Sequence, residues 1–443
     1  MRLNEKKFFE LAKANGFEAA DLSYSHSVST SVSIFHSEID SLTEHETIEL
    51  IARGIVNGKF GAVSTEQIDK NTPQFLVDST KSTAKIIEKE DQGIIFKGSP
   101  KYHRKNVFNK AVEQMQIRDA IDTCLEIEKK LYAYDKRINE VIMVGYENEI
   151  SDSVLSNTYG LKLKSKAGTY VFYSEVTAKE GDEVRTGFKV FVSMDPTEFN
   201  VDQFVKDVAE DALKKLGSIQ CKSKKYPVVF NPETASILLK FFLGPIDYEE
   251  VLKKSSYFID KLDKQVASKK LSVIENGLVK NIFFTYFDEE GVAVNKKDIL
   301  MKGVLKTYLY TLENAKKAGV EPTGNGEVVG GKTVAKLNQL FVKPGRKSEQ
   351  EMLSGIKEGV YITDLQGLHA GINPRSGNFS LQSAGFMIKD GKLAEPLALI
   401  TIAGNLLEMF NNIKDVGNNL KLITQTSITC PSISVKKMSI TGK

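Results

Sequence analysis

The C-terminal part of the chain consists of short apolar segments separated by turn-forming residues, and this pattern limits the fold most strongly. The pair Asp390-Gly391 lies between the apolar segments FMIK and KLAEPLALITIA. It predicts a β-hairpin, because a tight primed turn needs positive φ at its centre and glycine adopts positive φ at little cost. Residues 432–440 alternate between apolar and polar, which predicts a strand. Between hairpin and strand, helical spacing separates four apolar residues: Leu406, Met409, Phe410 and Ile413.

Strands and helices follow one another irregularly in the rest of the chain. Val28, Val32 and Ile34 alternate with serines, which predicts a half-buried strand whose polar face meets water. Patterns of the same kind predict strands at 47–56, 138–146, 170–177, 186–194 and 226–230. Helical periodicity predicts helices at 1–16, 73–87, 107–134, 204–216 and 307–318, and one that starts at Pro232. A glycine-rich loop is expected at 324–331.

The predicted architecture is α+β, in two domains. Residues 1–220 are expected to form an N-terminal domain of mixed strands and helices, and residues 221–443 a C-terminal strand-rich domain with few helices. The lysine-rich residues 222–225 are interpreted as a solvated linker between them. A chain of 443 residues is long enough to build a core in each domain.

Composition excludes several classes of protein. Apolar residues make up 41% of the chain, and no run approaches the roughly 20 apolar residues that a membrane helix needs. The first 16 residues lack the apolar region of a signal peptide, so a cytoplasmic location is expected. The net charge of +3 has mixed signs along the chain, which argues against direct nucleic-acid contact. Cys124, Cys221 and Cys430 form no CxxC pair, which excludes a disulfide framework and a cysteine-rich zinc site.

Long segments of the chain resemble the PmbA/TldD family. The C-terminal string DGKLAEPLALITIAGNLLEMFNNIKDVGNN and its ending CPSISVKKMSITG carry the resemblance most clearly. Further matches are KSSYFIDKLDKQV, FDEEGVAVNKKDILMKGVLKTYLYTLENAKKAG and GVYITDLQGLHAGINPRSGNFSLQSAGF, with weaker ones in the N-terminal half. The family comprises bacterial and archaeal proteins once described as modulators of DNA gyrase. It is built around a cytoplasmic two-subunit zinc peptidase.

The resemblance implies that this chain lacks the zinc site of catalytic relatives. In those relatives a helix after the strand matching 226–230 carries HExxxH, whose histidines bind zinc and whose glutamate is the general base. The alignment places Lys240 at the first histidine, Phe241 at the glutamate and Pro245 at the second histidine. Cys430 falls at or near the third ligand, and a lone thiol cannot hold zinc. No catalytic residue and no metal are therefore expected here, and zinc is expected in a TldD-type partner.

A second candidate site is the loop GLHAGINPRSGNFS. In the family this loop lies on the wall of the peptide cleft, which makes His369, Ser376, Gly377 and Asn378 candidates for binding substrate backbone. Long irregular loops over a rigid scaffold often carry binding residues. The alternative is that these residues only close a turn beside Asp364.

The remaining motifs predict little chemistry. His26, His36 and His45 form no HExxH or HExxxH pair and are interpreted as residues of surface strands. The segment GNGEVVGGK fits neither phosphate-binding glycine motif, so nucleotide binding is not expected. The aromatic residues of FFTYF (283–287) are interpreted as core or as a subunit interface.

Three functions are compatible with the sequence. The first is the non-zinc subunit of the PmbA (TldE) branch, inert alone, which pairs with a TldD-type zinc-bearing subunit to cut unfolded peptides in peptide maturation or antitoxin degradation. It predicts an obligate dimer interface above about 2,000 Å², and a homodimer where the partner is absent. The second is an autonomous hydrolase with a nucleophile such as Cys430. The third is a regulatory binding protein linked to control of DNA gyrase.

Overall fold

The first half of the chain forms one antiparallel six-stranded sheet with helices on one side. The computed structural model describes residues 4–86, 93–329 and 332–443. The strand order in this sheet is β3-β2-β1-β4-β5-β6. Its strands are β1 (Phe17–Phe35), β2 (Glu38–Val56), β3 (Lys59–Thr65), β4 (Ile138–Asn157), β5 (Lys162–Glu180) and β6 (Glu183–Ser193). The helices of this half are α1 (Glu5–Ala14), α2 (Thr72–Ile86), α3 (Lys110–Glu113), α4 (Ile117–Tyr134) and α5 (Val201–Leu213), with a 3₁₀ turn at Pro196–Glu198.

Alternation along β1 decides which face of this sheet is covered. Leu22 packs in a core with residues of α1 and α2, and Ile34 packs with residues of α4 and α5. The intervening serines point to the opposite face, because successive side chains of a strand alternate. The half-buried strand predicted from the alternation of valine and serine is confirmed, and its polar face carries no helix of the described part of the chain.

The second half contains two further six-stranded sheets, in the orders β10-β9-β8-β13-β19-β18 and β16-β15-β14-β7-β20-β17. Strands β16 and β20 also pair, so β16, β15, β14, β7 and β20 close into a barrel. The first strands are β7 (Lys224–Phe230), β8 (Val273–Glu275), β9 (Lys297–Met301), β10 (Val304–Leu305), β11 (Gly326–Val329), β12 (Lys332–Ala335) and β13 (Leu340–Val342). The others are β14 (Glu358–Gln366), β15 (Asn378–Lys389), β16 (Lys392–Asn405), β17 (Ile413–Val416), β18 (Lys421–Ile423), β19 (Ile428–Cys430) and β20 (Ile433–Thr441).

Helices of the second half are short and lie mostly between strands. They are α6 (Pro232–Leu243), α7 (Tyr248–Leu252), α8 (Leu312–Ala318), α9 (Glu349–Ser354), α10 (Leu368–Gly371) and α11 (Leu406–Asn411), with a 3₁₀ turn at Gly244–Ile246. The α+β prediction is confirmed, since the described chain mixes helices with predominantly antiparallel sheets. The division into two domains near residue 220 stays a prediction.

The predicted C-terminal hairpin is confirmed in detail. Asp390 and Gly391 connect β15 to β16 with φ values of 48° and 78°, as a primed turn requires. The predicted helix is α11, although Ile413, which was assigned to it, begins the following strand β17. The predicted strand at 432–440 is β20. Local sequence signals therefore located all three elements of this segment.

Four predicted elements differ from the structure. The region 107–134 contains two helices, because α3 ends near Gln114 and Gln116 adopts an extended conformation before α4. The helix expected at 307–318 begins only at Leu312, where the Thr311 side chain accepts a hydrogen bond from the amide of Asn314. The loop expected at 324–331 includes strand β11, and residues 330–331 lie outside the described residues. The predicted linker 222–225 runs into β7, so half of it is paired strand.

A segment of the second half covers one end of the N-terminal sheet. Arg53 makes a bidentate ion pair with Asp21, at 2.8 Å for each hydrogen bond, and its Nη2 also donates to the carbonyl oxygen of Glu289. The hydroxyl of Tyr286 donates to the carbonyl oxygen of Lys164 at 2.5 Å. Tyr286 is buried with Leu155 and Leu163, so the aromatic segment 283–287 packs within the chain.

Candidate functional site

Helix α6 contains Lys240 and Phe241, two of the residues that the sequence alignment predicted to stand in place of metal-site residues. The side chain of Asn231 caps its N-terminus by accepting a hydrogen bond from the amide of Thr234 at 2.8 Å, and Pro232 follows as the first helical residue. Leu238, Leu239 and Phe242 are fully buried in the main core of the second half. The helix is therefore an intact, well-capped core element.

The residues aligned with the zinc ligands do not fit a metal ion. Lys240 is exposed on α6, Phe241 is half-buried against the core, and Pro245 is buried in the 3₁₀ turn after the helix ends. A protonated lysine repels a cation, and phenylalanine and proline side chains have no donor atom. No three His, Cys, Asp or Glu side chains lie close enough to bind one metal ion in residues 4–86, 93–329 and 332–443.

Cys430 is sealed inside the same core. It lies at the end of β19 with no exposed surface, and its thiol donates to the carbonyl oxygen of Pro431 at 3.3 Å. Burial raises the pKa of the Cys430 thiol far above its ordinary value. Because the thiolate is the reactive form of cysteine, this environment disfavours a nucleophilic role.

Tyr257 connects the end of α6 to the second candidate region. Its hydroxyl donates to the carbonyl oxygens of Phe242, at 2.6 Å, and Phe241, at 3.3 Å, in the last turn of the helix. A Cβ built on Gly377 would lie 3.5 Å from a ring carbon of Tyr257. The aligned zinc positions and the predicted cleft loop therefore meet on either side of one tyrosine.

Two asparagines shape the loop between α10 and β15. The Asn373 side chain accepts hydrogen bonds from the amides of Arg375 and Ser376, each at 3.0 Å. The amide of Gly377 donates back to the carbonyl oxygen of Asn373 at 2.9 Å, which closes the turn. Gly377 has φ of +74°, a conformation that a side chain would strain.

Asn405 ties this turn to the helix that follows β16. Its Nδ2 donates to the carbonyl oxygen of Ser376 at 2.8 Å and to Oδ1 of Asn378 at 2.9 Å. Its Oδ1 accepts from the amides of Leu407 and Glu408 and caps α11. One side chain thus fixes the loop and the helix relative to each other.

The predicted cleft residues divide into two groups. The structure brings Ser376, Gly377 and Asn378 together around Asn405, with Ser376 and Asn378 exposed and Gly377 buried. His369 is exposed on α10 and makes no hydrogen bond or ion pair within the described chain. Asp364 belongs to β14, where it lies opposite Ala384, and the turn is closed by Asn373 instead.

Sequence reasoning missed Tyr257, Asn373 and Asn405. The sequence could have predicted the capping role of Asn405, because asparagine before an apolar helical run favours a helix start. Asn373 precedes a proline in a turn segment, which is a weaker signal of the same kind. Nothing in the sequence pairs Tyr257 with α6, because that contact depends on tertiary packing.

The other histidines are spread over the N-terminal sheet. His26 Nε2 lies 2.9 Å from Glu46 Oε1, and His36 Nε2 lies 2.9 Å from Glu140 Oε1. His45 belongs to β2 opposite Ser29. The strand interpretation is confirmed for His26 and His45, but it is wrong for His36, which lies in the turn between β1 and β2 with φ of +52°.

Two large cavities border the N-terminal sheet. One of about 790 Å³ lies between the serine-bearing face and the second half, and its lining includes Ser25, Arg53, Asp288 and Gln339. Another, of about 1330 Å³, is lined by residues of the helix-bearing face such as Tyr24 and by Lys164. In the described part of the chain, no helix is both long enough and apolar enough to cross a membrane.

Comparison with sequence families matches most of the chain. Models of the PmbA/TldA metallopeptidase family match residues 20–84 as domain 1, residues 110–216 as the central domain and residues 223–442 as the C-terminal domain. The chain is 28% identical to the metalloprotease PmbA of Escherichia coli O157:H7, over 73% of this chain and 70% of that protein. It is 25% identical to a PmbA homolog of Haemophilus influenzae, over 86% of this chain and 83% of that one.

Comparison with solved structures gives the same result. A protein of Thermotoga maritima, described as a suggested modulator of a DNA gyrase, is 29% identical with a TM-score of 0.91 and covers 98% of this chain and 99% of its own. TldE of Thermococcus kodakarensis shares the fold at 20% identity and a TM-score of 0.91, over 99% of this chain and 100% of its own. This chain therefore belongs to the PmbA/TldD metallopeptidase family, as a PmbA-like member.

Proposed function

We propose that this chain is the non-zinc, TldE-like subunit of a two-subunit metallopeptidase that cleaves unfolded peptides. The observation that carries the proposal is helix α6, which is capped and packed. Lys240 and Phe241 on this helix, and Pro245 in the 3₁₀ turn after it, stand at the aligned metal-site positions. A helix that is intact without its ligands fits a subunit that builds the cleft and leaves the metal to its partner.

The residues around Tyr257 and Asn405 suit a role in holding peptide backbone. Ser376 and Asn378 are exposed and present hydroxyl and amide groups, which can donate to and accept from peptide groups. A zinc ion in the TldD-type partner would supply the activated water for hydrolysis. This chain would contribute binding and orientation only.

An exposed apolar patch supports the presence of a partner subunit. Leu399 is 63% exposed and Ile219 is 46% exposed. They lie close together, because the amide of Ile219 donates to the carbonyl oxygen of Pro396 and Gln220 Nε2 donates to that of Leu399. Exposed apolar patches are typical of protein interfaces. We expect this patch to contact the TldD-type subunit, or a second copy where that subunit is absent.

The deciding experiment measures zinc content and cleavage of an unfolded peptide for the chain alone and after mixing with an HExxxH-bearing family member from the same source. We expect no zinc and no cleavage by the chain alone, and chelator-sensitive cleavage after mixing. Leu399→Asp should weaken association, measured by light scattering after gel filtration. Val184→Asp is the matched control, since Val184 is 46% exposed on β6 in the other half.

Stoichiometric zinc together with chelator-sensitive cleavage by the chain alone would overturn the proposal. Cleavage by the HExxxH protein that is unchanged by this chain would overturn it as well. The burial of Cys430 already weighs against an autonomous cysteine hydrolase.

A role in regulating DNA gyrase is the second candidate, favoured by the description of the Thermotoga maritima relative. A supercoiling assay with purified gyrase tests it. Under our proposal, the chain alone leaves supercoiling unchanged, whereas a direct regulator would change the rate without any zinc-bearing partner.

A further inference from the structure

One face of the N-terminal sheet carries a regular row of serines. Six serines occupy alternate positions of β1 and point away from the helices: Ser23, Ser25, Ser27, Ser29, Ser31 and Ser33. Residues directly opposite each other in antiparallel strands share a face. We call this surface, formed by the six serines and the residues opposite them in β2 and β4, the seryl face.

Short hydroxyl side chains continue across the neighbouring strands. Ser27 bonds to Thr47, Ser31 to Thr43 and Ser33 to Ser41, each with an oxygen–oxygen distance of 2.7 Å. On the other side, Ser25 lies opposite Ser153 of β4, and Ser27 lies opposite Ser151. The seryl face is therefore polar and nearly flat, because few long side chains project from this side of the sheet.

The seryl face is covered at one end and bare beyond it. The cavity of about 790 Å³ begins there, between Ser23, Ser25 and Ser153 on the sheet and Phe283 and Gln339 of the second half. From Ser27 towards Ser33, no element of the described chain packs over the serines. The bare surface and the cavity are thus continuous.

Three unpaired carboxylates give this face a negative charge. Glu49 lies opposite Ser25, Glu149 opposite Ser29 and Glu147 opposite Ser31, and all three are exposed. None of them forms an ion pair within the described residues. The guanidinium of Arg53, at the covered end, is already neutralised by Asp21. The local charge is negative although the chain as a whole carries +3.

This chemistry disfavours two kinds of occupant. Nucleic acid would bring phosphates against carboxylates, which repel them. A second copy of the same face would oppose carboxylates to carboxylates, and the face lacks the apolar centre that subunit interfaces have. An occupant that carries positive charge and spare hydrogen-bonding groups matches the surface instead.

We propose that the seryl face binds extended, lysine- or arginine-rich segments of unfolded polypeptide. Serine and threonine hydroxyls accept hydrogen bonds from peptide amides and donate to peptide carbonyls, while Glu49, Glu147 and Glu149 pair with the cationic side chains. The inference rests on the proposed function in taking an unfolded peptide as the ligand. It adds a preference for basic segments and a second binding surface outside the loop at Asn405.

The test uses the chain without any partner, so its outcome does not depend on cleavage. The probe is a fluorescein-labelled unstructured peptide in which lysine alternates with serine, compared with one in which glutamate replaces each lysine. Fluorescence anisotropy at low salt gives both affinities. We expect the lysine peptide to bind and to dissociate as salt rises, and the glutamate peptide not to bind.

Neutralising the face should remove most of this affinity. The variant E49Q/E147Q/E149Q should bind the lysine peptide about tenfold more weakly, from the loss of three exposed ion pairs. The control E44Q/E180Q/E321Q removes the same charge from exposed positions off the seryl face and should bind like the unmodified chain. Circular dichroism checks that both variants fold.

Equal binding by the two triple variants, or equal binding of the two peptides, would overturn the inference. Loss of binding in the face variant, with cleavage absent after mixing, would overturn only the proposed function. Cleavage after mixing, without any preference for lysine, would overturn only the inference.

Discussion

At the residue scale, Asn405 is the side chain on which the candidate cleft depends most. It makes two hydrogen bonds to the loop and two to the start of α11. Removing such a group leaves amide and carbonyl groups of both segments without their partner. The loop and the helix would then be free to move independently.

Asn405→Ala is therefore expected to lower the free energy of unfolding by about 2 kcal/mol, from loss of the helix cap and of the loop hydrogen bonds. It should also lower peptide cleavage by the proposed two-subunit complex. Urea denaturation and the mixing assay measure the two effects. Asn412→Ala is the control, because Asn412 Nδ2 donates only to the carbonyl of Glu408 in the same helix. Equal losses in both variants would contradict the role of Asn405.

Residue-scale prediction from sequence was uneven for a physical reason. Ser376, Gly377 and Asn378 could be singled out because a run of small polar residues marks a turn locally. Tyr257 could not, since it acts on Phe242 and Gly377 through contacts that only folding creates. The chemistry of a cleft depends on such distant pairs. Sequence can therefore identify some residues of a cleft, but not how they are arranged.

At the element scale, the hairpin between β15 and β16 requires glycine at position 391 for two reasons. The turn needs positive φ there, and the backbone of α9 leaves no room for a side chain. Gly391 has φ of +78°, and a Cβ on it would lie 2.7 Å from the Cα of Ser354 in α9. Gly58 has φ of +72° in the turn between β2 and β3, with no atom within 4 Å of its Cβ position. Comparing substitutions at these two glycines therefore separates the cost of backbone strain at positive φ from the cost of a steric clash.

Gly58→Ala should cost about 1 kcal/mol of unfolding free energy, from backbone strain alone. Gly391→Ala should cost about 1 to 3 kcal/mol more, because the backbone of Ser354 must also move. Chemical denaturation of both variants gives the comparison. Equal losses of unfolding free energy in the two variants would show that α9 moves aside without destabilising the chain.

Elements were predictable where one local pattern sufficed. The turn residues of the C-terminal hairpin and the alternation in β20 act within a few residues, so both predictions were correct. The break between α3 and α4 was invisible because the segments on both sides keep a helical period. Residues 308–310 are bulky and buried, as on the inner face of a helix, yet Leu309 lies in an extended segment, where it forms a β-bridge with Asp247. Tertiary contacts decided these two cases.

At the scale of the whole molecule, a buried acidic group lies at the junction of the two halves. Glu290 Oε2 accepts a hydrogen bond from the amide of Leu312 at 2.9 Å, close to Asp288 and Arg53. Burial, together with the neighbouring Asp288 carboxylate, raises the pKa of Glu290 to about 7. The folded chain therefore holds a proton that the unfolded chain releases near 4.5.

The sign of the pH effect follows from this difference. Because the folded state binds more protons than the unfolded state between these two pKa values, stability is highest at the acidic end and falls as the pH rises through about 7. Glu290→Gln should remove the part of this dependence that Glu290 contributes while retaining the hydrogen bond from Leu312. The part from Asp288, whose pKa burial raises to about 6, should remain. Between about pH 5 and pH 8 the unmodified chain should lose about 2 kcal/mol relative to the variant.

Urea denaturation across this pH range measures the effect. Glu321→Gln is the control, since Glu321 is exposed a few residues after helix α8. That variant should keep the slope of the unmodified chain. A parallel pH dependence for the unmodified chain and Glu290→Gln would contradict the buried proton.

The closure of the barrel by β20 has a consequence for synthesis. Every strand of the N-terminal sheet has been synthesised once residue 193 is added, so that sheet can form while the second half is still being made. β7 and β16 both need β20 as a neighbour, and β20 is translated after both of them. During translation the cell therefore contains a folded first half joined to an open second half. Until β20 is added, the unpaired strand edges and the apolar helix α6 of that second half are exposed to chaperone binding and to aggregation.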